Sequence, residues 1–177
     1  MHLNFANSPN NIWAIPLNIQ VGNIWSDQYL LDKESGEVQC SVGDINDFVL
    51  VNKDQTSYCR VSYSEELLMK LCDSLPCLSD RDRVGILADC GALLSTNQIS
   101  LKLYVEVIRK YESQKDFPVV QQLCWESDAL GTLWEGRGNW AAYLDLWYKV
   151  LSPALENLGF VALASDTEDD KMARSQL

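Results

Sequence analysis

One histidine, six cysteines and 25 acidic residues are the side chains of this 177-residue sequence with capacity for metal or acid–base chemistry. His2 stands beside Met1 with no partner close in sequence and reads as an exposed terminal residue. Cys40, Cys59, Cys72, Cys77, Cys90 and Cys124 form no C-x-x-C pair. A zinc site needs clustered thiolates or imidazoles, so these six offer no ligand set and are expected to be buried, reduced thiols. The acids Asp166, Glu168, Asp169 and Asp170 lack the spacing and the turn glycine of a calcium loop, and a solvated helix start explains them. Asp44 and Asp47 read as loop residues. Trp125, Trp134, Trp140 and Trp147 fall at spacings that predict packed helix positions rather than a ligand-stacking set. Arg60, between Tyr58 and Tyr63, and Arg83, six residues before Asp89, are predicted to enter buried ion pairs, a structural role. The sequence has no H-E-x-x-H, no glycine-rich phosphate loop and no Ser/His or Cys/His pair with a base. No catalytic, cofactor-binding or metal residue is therefore assigned.

The bulk numbers narrow the partners. A hydrophobic fraction of 47% with six Trp fills a real core. A formal net charge of -11 repels a phosphate backbone and an anionic bilayer alike, so neither nucleic acid nor membrane is an expected partner. The start of the sequence lacks the apolar core of a signal peptide, no apolar run approaches spanning length, and the chain has no Asn-x-Ser/Thr acceptor. Together these predict a reducing cytoplasm.

The elements that must position these residues change character once. Trp13, Ile15, Leu17, Ile19 and Val21 are apolar at every second position, which predicts a strand, with Pro16 on the other face marking an edge. Residues 24–31 predict a second strand. Glu34-Ser35-Gly36 predicts a turn with 38–42 pairing back across it, 48–51 a short strand, 52–55 a polar turn and 57–63 a further strand. From Ser64 the period becomes helical. Ser64-Glu65-Glu66 predicts a helix start that Pro76 ends, and Ser79-Asp80-Arg81-Asp82 a second start that stops at Asn97. Ser100 opens a third helix with the stripe Leu103, Tyr104, Val107, Ile108 and Tyr111. Pro118 opens a fourth, carrying Val119, Leu123, Leu130 and Leu133, which Gly136-Arg137-Gly138 breaks. A fifth spans 140–158, with Pro153 as a kink or break and Gly159 as its stop. Ser165-Asp166-Thr167-Glu168 predicts a capping box for a last helix on which Met172, Ala173 and Leu177 begin an apolar face. A helical repeat buries that face only against the next repeat, so the reading is a truncated array. The fold class predicted is α+β by modules: a β-sandwich module at 1–63, possibly incomplete, followed at 64–177 by antiparallel helices opening an ARM/HEAT-like solenoid.

Four stretches carry a resemblance. Tyr58-Cys59-Arg60-Val61-Ser62-Tyr63 resembles the Y-Y-R-V-N-Y strand of the zinc aminopeptidases related to aminopeptidase N, with Cys59 and Ser62 departing from it. Asp82-Arg83-Val84-Gly85-Ile86-Leu87-Ala88-Asp89 is similar to that family's D-R-x-G-L-x-x-D motif, in a form like its puromycin-sensitive branch. Trp13-Ala14-Ile15-Pro16-Leu17 resembles its W-x-I-P-L strand. Leu158-Gly159-Phe160 followed by Ala173-Arg174-Ser175 is similar to its L-G-W…L-R-S segment. The order and spacing agree over residues 10–177.

The resemblance implies a sandwich that spaces the catalytic domain, and helices that cap it and wall a peptide chamber. It implies structural roles for Arg60, Tyr63, Arg83 and Asp89. The family's H-E-x-x-H, third zinc ligand, G-x-M-E-N loop and catalytic Tyr lie upstream of the matched region and have no counterpart here. The implied function is thus a non-catalytic C-terminal fragment of a zinc-dependent aminopeptidase. Zinc is then the cofactor of the parent only. The partners are the upstream catalytic domain, downstream helices and peptide substrates. The alternative is a stand-alone helical-repeat module that binds a peptide or protein on its concave face.

Overall fold

The computed structural model describes residues 2–4, 12–23, 25–40, 44, 47–135 and 138–177. These form a mixed α+β chain with a three-stranded sheet, a two-stranded ribbon and six α-helices. By compactness the chain divides into Met1–Asp82 and Arg83–Leu177. That division lies inside a helix. It is distinct from the strand-to-helix change at Ser64, where the module boundary is expected.

In the first unit β1 (His2–Asn4) pairs antiparallel with β4 (Ser35–Glu37). The turn expected at 34–36 is therefore partly strand: the chain bends at 33–34 and enters the ribbon at Ser35. The far part of 38–42 lies outside the described residues. The main sheet is antiparallel in the order β3-β2-β5, with β2 at Ile15–Val21, β3 at Trp25–Leu31 and β5 at Val49–Val51. Period two is obeyed: Leu17, Ile19 and Val21 are buried while Pro16 is exposed. Leu17, Ile19, Leu31, Val38 and Val51 make one core.

Pro16 corrects the edge expectation, since β2 is the central strand. Yet β5 pairs only with residues 19–21, so Pro16 lies where β2 has a single laddered neighbour, β3. The Pro16 carbonyl points away from β3 and accepts from the Ser57 hydroxyl. A residue's N–H and C=O point the same way from a strand, so the missing N–H is lost on the side without a ladder.

Residues 57–63 also depart from expectation. They alternate inward and outward as a strand should, with Cys59, Val61 and Tyr63 against the core, but they are not among the described strands. A tight turn precedes them. Asn52 is fully buried in the left-handed region at φ 60°. Its Oδ1 accepts from Ser57 N–H at 2.9 Å and its Nδ2 donates to Ser57 C=O at 2.8 Å. Ser57 C=O also accepts from Cys59 N–H at 3.1 Å. The backbone N–H and C=O of Ser57 are thus both engaged locally.

The helices begin where the caps predict. Ser64 Oγ accepts from Leu67 N–H ahead of α1 (Glu65–Asp73). A 3-10 turn, Leu75–Cys77, contains Pro76. Ser79 Oγ accepts from Asp82 N–H at 3.2 Å and donates to its carboxylate at 2.7 Å, opening α2 (Asp80–Ser95). Asp82 is buried because its second oxygen accepts from Asp54 N–H at 2.6 Å.

In the second unit Ser100 caps α3 (Leu101–Lys110), whose stripe Leu103, Tyr104, Val107, Ile108 and Tyr111 is buried as predicted. Then follow α4 (Phe117–Trp134), α5 (Trp140–Leu158) and α6 (Glu168–Gln176). Residues 136–137 of the predicted break, and the Leu133 side chain, lie outside the description. Pro153 leaves α5 a single helix. α5 buries Tyr143, Leu146, Trp147, Val150, Ala154 and Leu158, and α4 contacts both α5 and α6. The capping box of α6 is Thr167 with Asp170, not Ser165 with Glu168. Asp166 is instead engaged by Arg174 and by Leu163 N–H.

Candidate functional site

Around α4 and α5, three clusters put chemistry-bearing side chains together. The first is aromatic. Trp140 stacks on Tyr143 with centroids 4.6 Å apart, Trp134 lies 6.2 Å from the same ring, and Trp147 meets its edge at 6.4 Å. The Tyr143 hydroxyl bonds Ser127 Oγ and Ser127 C=O, each at 2.9 Å. Gly131 leaves it room, since a Cβ there would sit 2.9 Å from that hydroxyl. Trp134 Nε1 donates to Gly138 C=O at 3.0 Å. Gly131, Trp134, Glu135, Gly138 and Trp140 line an open cleft of about 510 Å³. It offers indole faces and one exposed carboxylate, Glu135, which suits stacking and attraction of a cation.

These rings correct the packed-core expectation. Trp147 is buried, but Trp125 and Trp140 are about half exposed, at 54% and 47%. Trp125 falls off the buried stripe of α4, and Trp140 is the first residue of its helix.

The second cluster is buried and polar. Glu126 accepts from the Tyr104 hydroxyl at 2.7 Å and from Gln122 Nε2 at 2.7 Å. Burial, then the Glu126 charge, pushes the Tyr104 phenol far above its ordinary value. Gly91 of α2 lies against the same carboxylate, so closely that a Cβ would sit 2.8 Å from Glu126 Cδ. Sequence reasoning missed Glu126. The signal was present: Val119, Leu123, Glu126 and Leu130 follow a single helical stripe, so a carboxylate in that series has to be buried.

The third cluster closes α5. Arg174 Nη2 donates to Leu158 C=O at 2.8 Å, Nε to Gly159 C=O at 3.0 Å, and Nη1 to Asp166 at 2.6 Å. Gly159 has φ 68°, the left-handed region that terminates a helix. The Arg174 hydrogen bond, followed by that of Leu163 N–H, lowers the Asp166 carboxyl below its ordinary value. Leu158, Gly159 and Arg174, apart in sequence, are thus one device: the guanidinium caps the carbonyl end of α5.

Of the residues assigned structural roles, Arg83 joins the α3–α4 connection: Nη2 meets Asp116 at 2.9 Å, Nη1 donates to Gln114, and Arg83 C=O accepts from Tyr111 at 2.9 Å. Asp89 is buried. Tyr63 is half-buried and its oxygen accepts from Val51 N–H at 2.9 Å. Arg60 is exposed, which corrects its placement in a buried ion pair: it falls on the outward side of the alternating segment. Of the cysteines, Cys72 and Cys90 are buried, whereas Cys77 is exposed, and none is in a disulfide. Among the described residues, no group of three or more His, Cys, Asp or Glu gathers where it could hold a metal. No helix among them is long and apolar enough to cross a membrane.

Comparison with known proteins agrees with these motifs. The family model of the ERAP1-like C-terminal domain matches residues 48–177. The chain is 29% identical over 118 residues to the puromycin-sensitive aminopeptidase of Caenorhabditis elegans, a match covering 62% of this chain and 12% of that protein. It is 32% identical over 88 residues to the alanine/arginine aminopeptidase of Saccharomyces cerevisiae, covering 50% and 10%. It is 27% identical over 111 residues to the tricorn protease-interacting factor F2 of Thermoplasma acidophilum, covering 63% and 13%. The chain therefore spans only about an eighth of the length of such relatives. A family match over most of the chain, reaching from the strand β5 to Leu177, shows that it belongs to the ERAP1-like C-terminal domain family and is a C-terminal region of an aminopeptidase N family member.

Proposed function

We propose that this chain is a non-catalytic C-terminal part of a zinc-dependent aminopeptidase whose parent removes N-terminal residues from peptides in the cytoplasm. The observation that carries this reading is the family match over residues 48–177. In this reading residues 1–63 belong to a β-sandwich module that spaces the catalytic domain. Residues 64–177 open an ARM/HEAT-like helical repeat that caps it and walls the peptide chamber. Zinc belongs to the upstream domain: metal-assisted hydrolysis takes three protein ligands and an open position for water. The sequence supplies one His, so it cannot provide an H-E-x-x-H pair. The geometry supports the architectural role of the shared motif residues, since Arg83 ties α2 to side chains of the α3–α4 connection and Arg174 takes the carbonyls that end α5.

The test is elemental analysis of the dialysed protein combined with a fluorogenic aminoacyl-arylamide assay. The expected result is substoichiometric zinc and no turnover. One tightly held zinc per chain, with turnover abolished by a chelator, sinks the reading. The open aromatic cleft favours a second reading, a helical-repeat module that binds a peptide. Titration with a Lys-rich peptide, followed by Trp fluorescence, decides it: saturable quenching lost in Trp140→Ala supports this reading, and no quenching removes it.

A further inference from the structure

Two indoles at the junction of α4 and α5 are held in place although solvent reaches both: Trp134 is half-buried and Trp140 half-exposed. The bond from Trp134 Nε1 to the Gly138 carbonyl fixes the first ring. The second lies on Tyr143, planes 20° apart, which leaves its other face uncovered by that ring. Tyr143 is itself anchored, since its hydroxyl is bonded to Ser127 and sits in the space that Gly131 leaves. The cleft that Trp134 and Trp140 line is therefore a site with its aromatic walls already set, and binding there orders little. Glu135, exposed, is the one charged residue among those lining it. The carbonyl end of α4 and the amide end of α5 meet here with opposed dipoles, so the carboxylate sets the sign. Indole faces and a carboxylate both favour a cation.

We propose that this cleft binds the trimethylammonium group of an organic cation, held against Trp134 and Trp140 with Glu135 as its counter-charge. The choice of cation follows from the acceptors. A primary ammonium carries three N–H donors that need partners on leaving water. The Gly138 carbonyl already accepts from Trp134, and the Tyr143 hydroxyl is already bonded to Ser127. A quaternary ammonium has no N–H to satisfy and presents its charge through methyl groups, which pack on an indole face. The net charge of -11 adds a general attraction for any cation. The inference rests on the same cleft as the peptide-binding reading above and deepens it by naming the group held.

Titration of the isotopically labelled full chain with choline, at constant ionic strength, tests it by proton–nitrogen NMR. The indole N–H signals of Trp134 and Trp140, assigned through Trp134→Phe and Trp140→Phe, should shift saturably. The neutral isostere of choline, with tert-butyl in place of trimethylammonium, should bind about tenfold more weakly. Ethanolamine should also bind more weakly than choline. Glu135→Gln, on an exposed side chain that the fold does not need, should weaken choline about fivefold. Trp140→Ala should abolish the shift at Trp134. Choline that shifts neither signal, or a neutral isostere or ethanolamine that binds as well, overturns the proposal. So does a wild type that binds nothing while Arg137→Gln binds choline, since the cleft is then filled by a cation of the chain itself. Comparison of choline with the amide of trimethyllysine tells a free cation from a methylated side chain. A Lys-rich peptide that fails where choline binds removes the peptide reading and leaves this one standing.

Discussion

The guanidinium of Arg174 holds the carboxylate of Asp166 at 2.6 Å while its other nitrogens take the carbonyls of Leu158 and Gly159. Replacing Arg174 by Ala leaves two helix-end carbonyls without their donor. Loss of that cap should lower unfolding free energy by about 2 kcal/mol. Arg174→Lys should recover only part, because a single ammonium cannot reproduce the planar fork. Chemical denaturation of the three proteins checks this, and equal midpoints for wild type and Arg174→Ala would refute the capping role.

Acid should find the same corner. Asp166 is lowered by Arg174 and Leu163, and Asp170 first by the Thr167 side chain. A carboxylate lowered in the folded state contributes stability above its ordinary value of 3.8, and that contribution is lost as pH falls through the folded value. The denaturation midpoint should therefore drop below about pH 4, and the drop should be shallower in Arg174→Ala. Midpoints at pH 7, 4 and 3 measure it.

The buried Glu126 makes a paired prediction. Gly91→Ala should destabilise, since the new methyl meets that carboxylate. Most of the loss should vanish in an Asn- or Ala-substituted Glu126 background, which a double-mutant cycle reads directly. Tyr104→Phe removes one of two donors and should cost about 1–3 kcal/mol. In the wild type the Tyr104 phenol should stay protonated past pH 10, and folding should weaken as pH rises above that ordinary value. Difference absorbance in alkaline titration follows both.

Asn52 separates backbone from side chain. Asn52→Gly keeps the left-handed conformation and loses only the side-chain bonds, two to Ser57 and one to Gln55. Asn52→Ala loses the same bonds and adds about 1 kcal/mol of strain at positive φ. Thermal melts should rank wild type above Gly and Gly above Ala; an inverted order of the two variants would show that φ is not the constraint.

Much of this was legible because caps and stripes are local. Ser64, Ser79 and Ser100 announce helix starts by hydroxyls that satisfy the N–H three residues on, and the α3 stripe follows from spacing alone. The departures share a cause. For residues 57–63 the period was right, and what spacing could not show is that Asn52 takes both backbone groups of Ser57 at the start of the segment. At Thr167 the true cap lost out in the reading to Ser165, two residues earlier, since nothing local shows that Asp166 is committed to Arg174. Trp140 and Trp125 looked like core because indoles usually are; exposure depends on what packs above them. Glu126 was the avoidable miss, a charge on a buried stripe.

The distribution of thiols gives the two compact units separate clocks. Cys72 of Met1–Asp82 and Cys90 of Arg83–Leu177 are both buried in helices, and Cys77 between them is exposed. Burial, then Asp128, also raises the Cys124 thiol and slows its reaction. A pulse of alkylating reagent should therefore mark Cys77 at once. Thereafter the appearance of label at Cys72 times the opening of one unit, and at Cys90 that of the other. Whether this chain unfolds in one step or two can be read by peptide mass spectrometry with no probe introduced.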